Sequence, residues 1–215
     1  YLNKHTSNNE IIITDDGANL TWTMQGYKIK GGQRLISAFG NSPMGYSFPA
    51  AIGASIALKK KRIICIDGDG SLQINIQELQ TMVSNKLPIK LIILNNSGYG
   101  IIKQFQELYL NKRYQAVDSS KGVTNPNFRD IAKAYKINYS LITNNKNIDS
   151  VLRKTIKSNK AEFIEVRIKS DQKIIPKLSF GKPIEDLSPL LSRKEFSKNM
   201  IITEYNKTNK FDEIN

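Results

Sequence analysis

The sequence predicts an α/β fold, a doubly wound and mostly parallel sheet with helices on both faces, and two observations carry that prediction. Short isoleucine-rich runs, apolar at nearly every position rather than at every second one, recur between turn-forming residues, as strands buried on both faces do. Stretches of helical spacing separate them, so strand and helix alternate in the manner of βαβ units.

The elements follow in chain order. Residues 1–9, YLNKHTSNN, have the character of a helix tail running into a first strand at residues 11–14. A helix is expected at residues 49–58, with Pro49 suited to the first helical position, and a second strand at residues 63–67. A helix at residues 76–84 leads to a strand at 89–94, and a helical stretch follows Gly100. The remaining order is a helix at 127–135 starting near Asn127, a weaker strand at 139–143, a helix at 148–158 starting near Asp149, and a strand at 163–168. Residues 1–175 form one domain in this reading. After Ile175 the periodicity stops, and residues 176–215 are expected to be an extended arm over a neighbouring surface, with a disordered tail beyond Tyr205 as the alternative.

Composition narrows the class. A chain of 215 residues that is 40% hydrophobic buries a full core. No apolar run reaches the roughly 18 to 20 residues that cross a bilayer, and no signal-peptide pattern opens the sequence, so a cytoplasmic protein without a membrane partner is expected. The single cysteine, Cys65, lies in the apolar run IICI, which implies a buried thiol and no disulfide framework. A formal net charge of +13 invites a nucleic-acid reading, but the only dense basic run is Lys59, Lys60, Lys61 and Arg62, between an apolar helix and an apolar strand. No aromatic residues interleave with it as a stacking platform would need, so no nucleic-acid partner is expected.

The chemistry concentrates at two strand ends. The run RIICID ends in Gly68, Asp69, Gly70 and Ser71, and the run IKLIIL ends in Asn95, Asn96, Ser97 and Gly98. In open α/β sheets ligands bind at the carboxyl ends of strands. Glycines at 68 and 70 let backbone N–H groups approach a diphosphate, and Ser71 is expected to open the following helix. A magnesium ion takes oxygen ligands, and Asp69 offers a carboxylate, Asn96 a side-chain carbonyl and Gly98 a backbone carbonyl. Either cluster alone is an ordinary turn. Together, separated by the 24 residues from Ser71 to Leu94, they form a specific pair.

That pair resembles the GDG and NN signature of thiamine-diphosphate enzymes, and the resemblance extends over roughly residues 10–170. SAFGNSPMGYSFPAAIGASIA resembles the segment that precedes GDG in acetolactate synthases and related 2-oxo acid decarboxylases, and TDDGANLTWTMQGY resembles their first strand and diphosphate loop. NNSGYGIIKQFQELY and NPNFRDIAKAY keep the same order. The resemblance implies the thiamine-diphosphate-binding fold, with Asp69, Asn96 and Gly98 on magnesium and Gly68, Gly70, Ser71 and Asn19 beside the diphosphate. Met44 would prop the cofactor in its bent shape, with the Ser42 carbonyl near the aminopyrimidine. The activity implied is decarboxylation of a 2-oxo acid, pyruvate first among them, with transfer of the acyl-anion equivalent to a second carbonyl compound. A simple decarboxylase and a non-catalytic assembly module that keeps the fold are the alternatives.

The family's activating glutamate lies on a separate pyrimidine-binding domain that no segment here matches. Glu10, Glu78 and Glu107 are not assigned its role, and no catalytic residue is expected in this chain. The chain is then one third of a longer protein or a subunit of a split enzyme, the tyrosine start favouring the former. Its active sites would be shared in a homodimer or homotetramer, and the acetolactate synthase branch would add a flavin, FAD, in an absent middle domain. Acetolactate synthases carry Trp where Phe105 stands and Gln-His where Ala18 and Asn19 stand. A smaller aromatic at Phe105 is expected to line a substrate pocket of altered acceptor preference; core packing is the competing role for that side chain.

Overall fold

The computed structural model describes residues 1–203. Six strands form one sheet: β1 (Ile11–Thr14), β2 (Arg34–Ile36), β3 (Ile63–Gly68), β4 (Lys90–Asn95), β5 (Asn138–Ile142) and β6 (Glu162–Arg167). Their order is β2-β1-β3-β4-β6-β5, and every pair is parallel. Nine α-helices accompany them among the described residues: α1 (Leu2–His5), α2 (Ala18–Gly26), α3 (Ser47–Ala57), α4 (Asp69–Leu72), α5 (Glu78–Ser84), α6 (Gly100–Tyr109), α7 (Phe128–Ala134), α8 (Asn145–Lys157) and α9 (Arg193–Asn199). The chain runs from β1 out to β2 and returns on the other side of β1 to make β3, so the strand order reverses between β1 and β3. In open sheets that reversal opens a crevice at the carboxyl ends of the two strands.

Successive strand residues point to opposite faces, and both faces are covered, which explains the unbroken apolar runs. Ile11, Ile13, Ile63, Cys65, Leu91, Ile93 and Phe163 pack with Phe48 and Ile52 of α3, Leu79 and Met82 of α5 and Phe128 of α7. Ile12, Ile64, Ile66, Ile92 and Ile164 pack on the other side with Leu152 and Ile156 of α8. Cys65 is fully buried, as its setting in IICI implied. No helix among the described residues is long and apolar enough to cross a membrane.

Several expectations shift. β2 was not anticipated: it is a three-residue edge strand, only half-buried, and too short to show a pattern. TDDGANLTWTMQGY is not only strand and loop, because α2 starts at Ala18. Pro49 lies in the third position of α3 rather than the first. Asp149 falls inside α8, and the cap is Asn144, whose side chain accepts from the Lys146 N–H at 2.9 Å. Asn127 does cap α7, accepting from the Arg129 N–H at 3.1 Å. Ser71 does not open a helix but sits within α4, one turn that begins at Asp69.

The chain divides into two compact units, the first spanning Tyr1–Lys173 and the second beginning at Ile174. The second has structure of its own. Lys177 and Ser188 exchange backbone hydrogen bonds of 2.8 and 2.7 Å, and the Arg193 guanidinium forks onto Asp186 at 2.9 and 3.0 Å. Ser192 caps α9 by accepting from the Glu195 N–H. The tail expected beyond Tyr205 lies outside the described residues.

Candidate functional site

A cavity opens at the carboxyl ends of β1, β3 and β4, at the strand-order reversal. Asp16, Gly17, Ala18 and Asn19 line it from the β1 side, Gly68, Asp69, Gly70 and Ser71 from β3, and Asn96, Gly98, Tyr99 and Gly100 from β4, and Met44 and Trp22 are also in its wall. Eight of the residues singled out from sequence therefore meet in one place: Asn19, Met44, Gly68, Asp69, Gly70, Ser71, Asn96 and Gly98.

Three helix N-termini converge on this cavity. α2 starts behind Gly17, α4 behind Gly68 and α6 behind Tyr99, and at none of them does a side chain cap the first turn. The first-turn N–H groups of a helix have no intrahelical partner and carry roughly half a positive charge between them. At α4 the Asp69 and Gly70 N–H groups turn to the Asp69 carboxylate, so the first turns of α2 and α6 are the ones left to meet an anion, and two such termini around one cavity suit a diphosphate. Gly17 has φ 108°, a conformation open to glycine, so the chain turns from β1 into α2 without a side chain at the cavity wall.

The acidic part of the site is tightly held. Asp69 is 2% exposed, and its Oδ2 accepts hydrogen bonds from the Gly98 N–H at 3.0 Å and from Asn125 Nδ2 at 2.5 Å. Burial pushes its carboxyl up to about 6, while the N–H groups of Gly98, Gly70 and Asp69 itself and the Asn125 amide pull the other way. Beneath it, fully buried Asp67 accepts from the Gly68 N–H at 2.7 Å, and its other oxygen has no partner. Burial, then the charge of Asp15, pushes the Asp67 carboxyl well up, which favours its neutral form and leaves Asp69 as the charge-bearing acid of this loop.

Met44 reaches the cavity because of Asp15. The Asp15 carboxylate accepts from the Gly45 N–H at 2.9 Å and the Ser47 N–H at 2.6 Å, which pins the start of α3 to the end of β1. Asn75 Nδ2 holds the Gly45 carbonyl at 2.6 Å from the other side. Asn19 is buried and donates from Nδ2 to the Asp15 carbonyl at 3.1 Å, so its Oδ1 is the atom turned towards Gly17 and Gly68.

Other expected residues stand apart. Ser42 is not in the wall of this cavity; it lies at φ 44° in a turn where its N–H bonds the Ala38 carbonyl at 2.7 Å, and its side chain hydrogen-bonds Asp16 of the wall. Phe105 is 40% exposed on α6 beside Tyr109, with ring centroids 5.0 Å apart, and is neither a core residue nor part of the cavity wall. Among the described residues no glutamate lines the cavity: Glu10 pairs with Arg62, Glu107 with Lys173, and Glu78 accepts from the Thr81 hydroxyl at 2.7 Å. Asp16, Trp22, Tyr99 and the first residues of α6 escaped the sequence reading. So did Asn125, which lies 56 positions from the aspartate it touches.

The donors present fit a hard cation held to an anion. Among the described residues no group of three or more His, Cys, Asp or Glu side chains converges. One carboxylate, one carboxamide and backbone carbonyls beside uncapped helix N-termini suit magnesium, which takes few protein ligands and completes its shell with phosphate and water.

Comparison with known proteins agrees with this geometry. A family model described as thiamine pyrophosphate enzyme, C-terminal TPP binding domain, matches residues 15–166. The chain is 35% identical over 171 residues to the acetolactate synthase large subunit of Porphyra purpurea, covering 80% of this chain and 28% of that protein. It is 33% identical over 173 residues to the acetolactate synthase isozyme 1 large subunit of Escherichia coli (strain K12), covering 80% of this chain and 30% of the other. With the acetolactate synthase large subunit of Lactococcus lactis subsp. lactis (strain IL1403) the identity is 34% over 181 residues, 84% of this chain and 31% of the relative. The chain thus spans about 30% of the length of these curated relatives.

Proposed function

Because the chain belongs to the thiamine pyrophosphate enzyme family, matching its C-terminal TPP binding domain, we propose that it holds the diphosphate end of the cofactor, through magnesium, in an acetolactate synthase-like enzyme. The reaction proposed for the whole protein is decarboxylation of a 2-oxo acid, pyruvate first, with transfer of the acyl-anion equivalent to a second carbonyl compound. The observation that carries the site assignment is the meeting of the uncapped N-termini of α2 and α6 with Asp69, Asn96 and Gly98 around one cavity.

In this reading Asp69, the Asn96 side-chain carbonyl and the Gly98 backbone carbonyl take the cation. The backbone N–H groups of the first turns of α2, Asn19 among them, and of α6, with the Ser71 hydroxyl, take the diphosphate oxygens, and Gly68 and Gly70 let them approach with no side chain in the way. Burial of Asp69 and Ser71 excludes water from these contacts, which strengthens them and fixes the group they hold. Met44, braced through Gly45 and Asp15, presents its side chain to the rest of the cofactor as a prop. The bound cofactor supplies an electron sink for loss of carbon dioxide from the acid. The chain's residues supply position and charge. The group that activates the cofactor is proposed to come from a pyrimidine-binding domain of the same or a partner protein, in a shared dimer site.

The test is release of carbon dioxide from a panel of 2-oxo acids by the full-length protein with thiamine diphosphate and magnesium, with identification of the product. Acetolactate or another carboligation product from pyruvate supports the proposal. Aldehyde alone would make it a simple decarboxylase, and no carbon dioxide from any acid, with cofactor bound, would leave the assembly-module reading.

A further inference from the structure

The Asp69 carboxylate is reached from two sides. The Gly98 N–H comes from the loop after β4, and the Asn125 side chain comes from residues 122–127, the loop that leads into α7; both donate to the same oxygen, Oδ2, at 3.0 and 2.5 Å. Asn125 is itself held. Gln73, at the end of α4, donates from Nε2 to Asn125 Oδ1 at 2.6 Å and lies 3.5 Å from the Asp69 carbonyl. Asp69, Gln73 and Asn125 thus close a small ring.

A carboxamide has one accepting and one donating end. The Gln73 N–H occupies the accepting end of Asn125, so the donating end faces Asp69. Asn125 is absent from the cavity wall, and it meets the carboxylate from behind. Its carbonyl oxygen is turned to Gln73 and not to the place where a cation would sit.

We infer that Asn125 is a positioning residue for the cation-binding carboxylate, kept in orientation by Gln73, and this rests on the magnesium site proposed above. Two N–H donors on one oxygen stop the carboxylate from rotating about its Cβ–Cγ bond, so Asp69 meets the cation in one orientation. The arrangement also ties the loop before α7 to cation binding, although that loop contributes nothing to the cavity wall. Partners of metal ligands at this remove are typically worth about 10- to 100-fold in metal affinity.

The experiment titrates magnesium against thiamine diphosphate binding by calorimetry, on the full-length protein and its Asn125→Ala, Asn125→Asp and Gln73→Ala variants, with a thermal melt of each. Asn125→Ala is expected to weaken apparent magnesium affinity by about 10- to 100-fold. Asn125→Asp, which replaces the donor by an acceptor of the same shape, is expected to weaken it as much or more, and Gln73→Ala by several-fold. Should Asn125→Ala not fold, the milder Gln73→Ala decides. Lower melting with unchanged magnesium affinity would reduce Asn125 to a packing residue and overturn the inference. Tighter binding by Asn125→Asp would make position 125 a direct ligand and overturn it too. A parent protein that binds the cofactor without magnesium overturns the site assignment itself, and this inference with it, whereas a magnesium-dependent parent with unaffected variants overturns this inference alone.

Discussion

Replacement of Gly98 by alanine tests the packing beneath the cation site. A Cβ at residue 98 would lie 2.1 Å from the Val117 carbonyl oxygen, 3.1 Å from its carbon and 3.2 Å from the Asp118 Cα, all of them backbone atoms. Ordinary contact begins near 3.4 Å, so the two segments must part by about 1.3 Å. That movement breaks the Tyr99 N–H bond to Val117 O, now 2.9 Å, and the bridge between Gly98 and Asp118. It also draws the Gly98 N–H off Asp69. A neutral hydrogen bond is worth about 1 kcal/mol and one to a charged acceptor about 1.5–3, so a loss of about 3 kcal/mol is expected. The displacement exceeds the roughly 0.2 Å tolerance of a metal site several times over, so magnesium-dependent cofactor binding should weaken by at least about tenfold. Thermal unfolding and calorimetry of the full-length protein read the two effects. Gly53→Ala, in α3, is the control: its Cβ meets nothing within 4 Å, and it should stabilise by up to about 1 kcal/mol. A Gly98→Ala variant that melts with the parent and keeps its magnesium affinity would refute the packing argument.

Three further outcomes follow from buried groups. Because burial raises the Asp69 carboxyl to about 6 from 3.8, the metal-free fold holds a proton there that the unfolded chain has lost between those values. Its contribution to stability therefore falls as pH rises from 3.8 to 6, and apparent magnesium affinity, read by calorimetry, should climb about tenfold per pH unit below that value and level off above it. Lys90 behaves in the opposite sense: its side chain is fully buried against the carbonyls of Ser158 and Lys160, and desolvation lowers it to about 8 from 10.5. Between those values the unfolded chain holds the proton that the fold lacks, so stability should rise by up to about 3 kcal/mol, at about 1.4 per unit, and Lys90→Met should remove that slope in denaturant titrations. Cys65 is 0% exposed and burial pushes its thiol well up, so a water-soluble disulfide reagent should label it only after denaturation; labelling of the native protein would contradict its place in the sheet.

What the sequence discloses follows from how each element is buried. β1, β3, β4 and β6 were legible because both of their faces pack on helices, which leaves apolar residues at successive positions, isoleucine foremost in β1, β3 and β4. β2, at the sheet edge, carries no such run. α2 was hidden because ANLTWTMQG mixes threonine, tryptophan and glutamine around the helix with no apolar stripe, and because Gly17 leaves no capping side chain to read. α4 and α6 likewise begin without caps. The bare N–H groups of α2 and α6 are what fit them for an anion, so the property that makes the site also removes the usual signal of a helix start. The Asp69, Asn96 and Gly98 cluster was legible because each residue sits at or just past a strand end, whereas Asn125 touches the same carboxylate through tertiary folding alone.

The central claim is that this domain binds thiamine diphosphate through a cation held by Asp69. Calorimetric titration of the full-length protein with thiamine diphosphate, with and without magnesium, and the same titration on Asp69→Ala, test it most directly. Saturable binding that requires magnesium and disappears in the variant is the result predicted. Binding that is indifferent to magnesium and survives Asp69→Ala, or no binding by a folded and assembled protein, would contradict it.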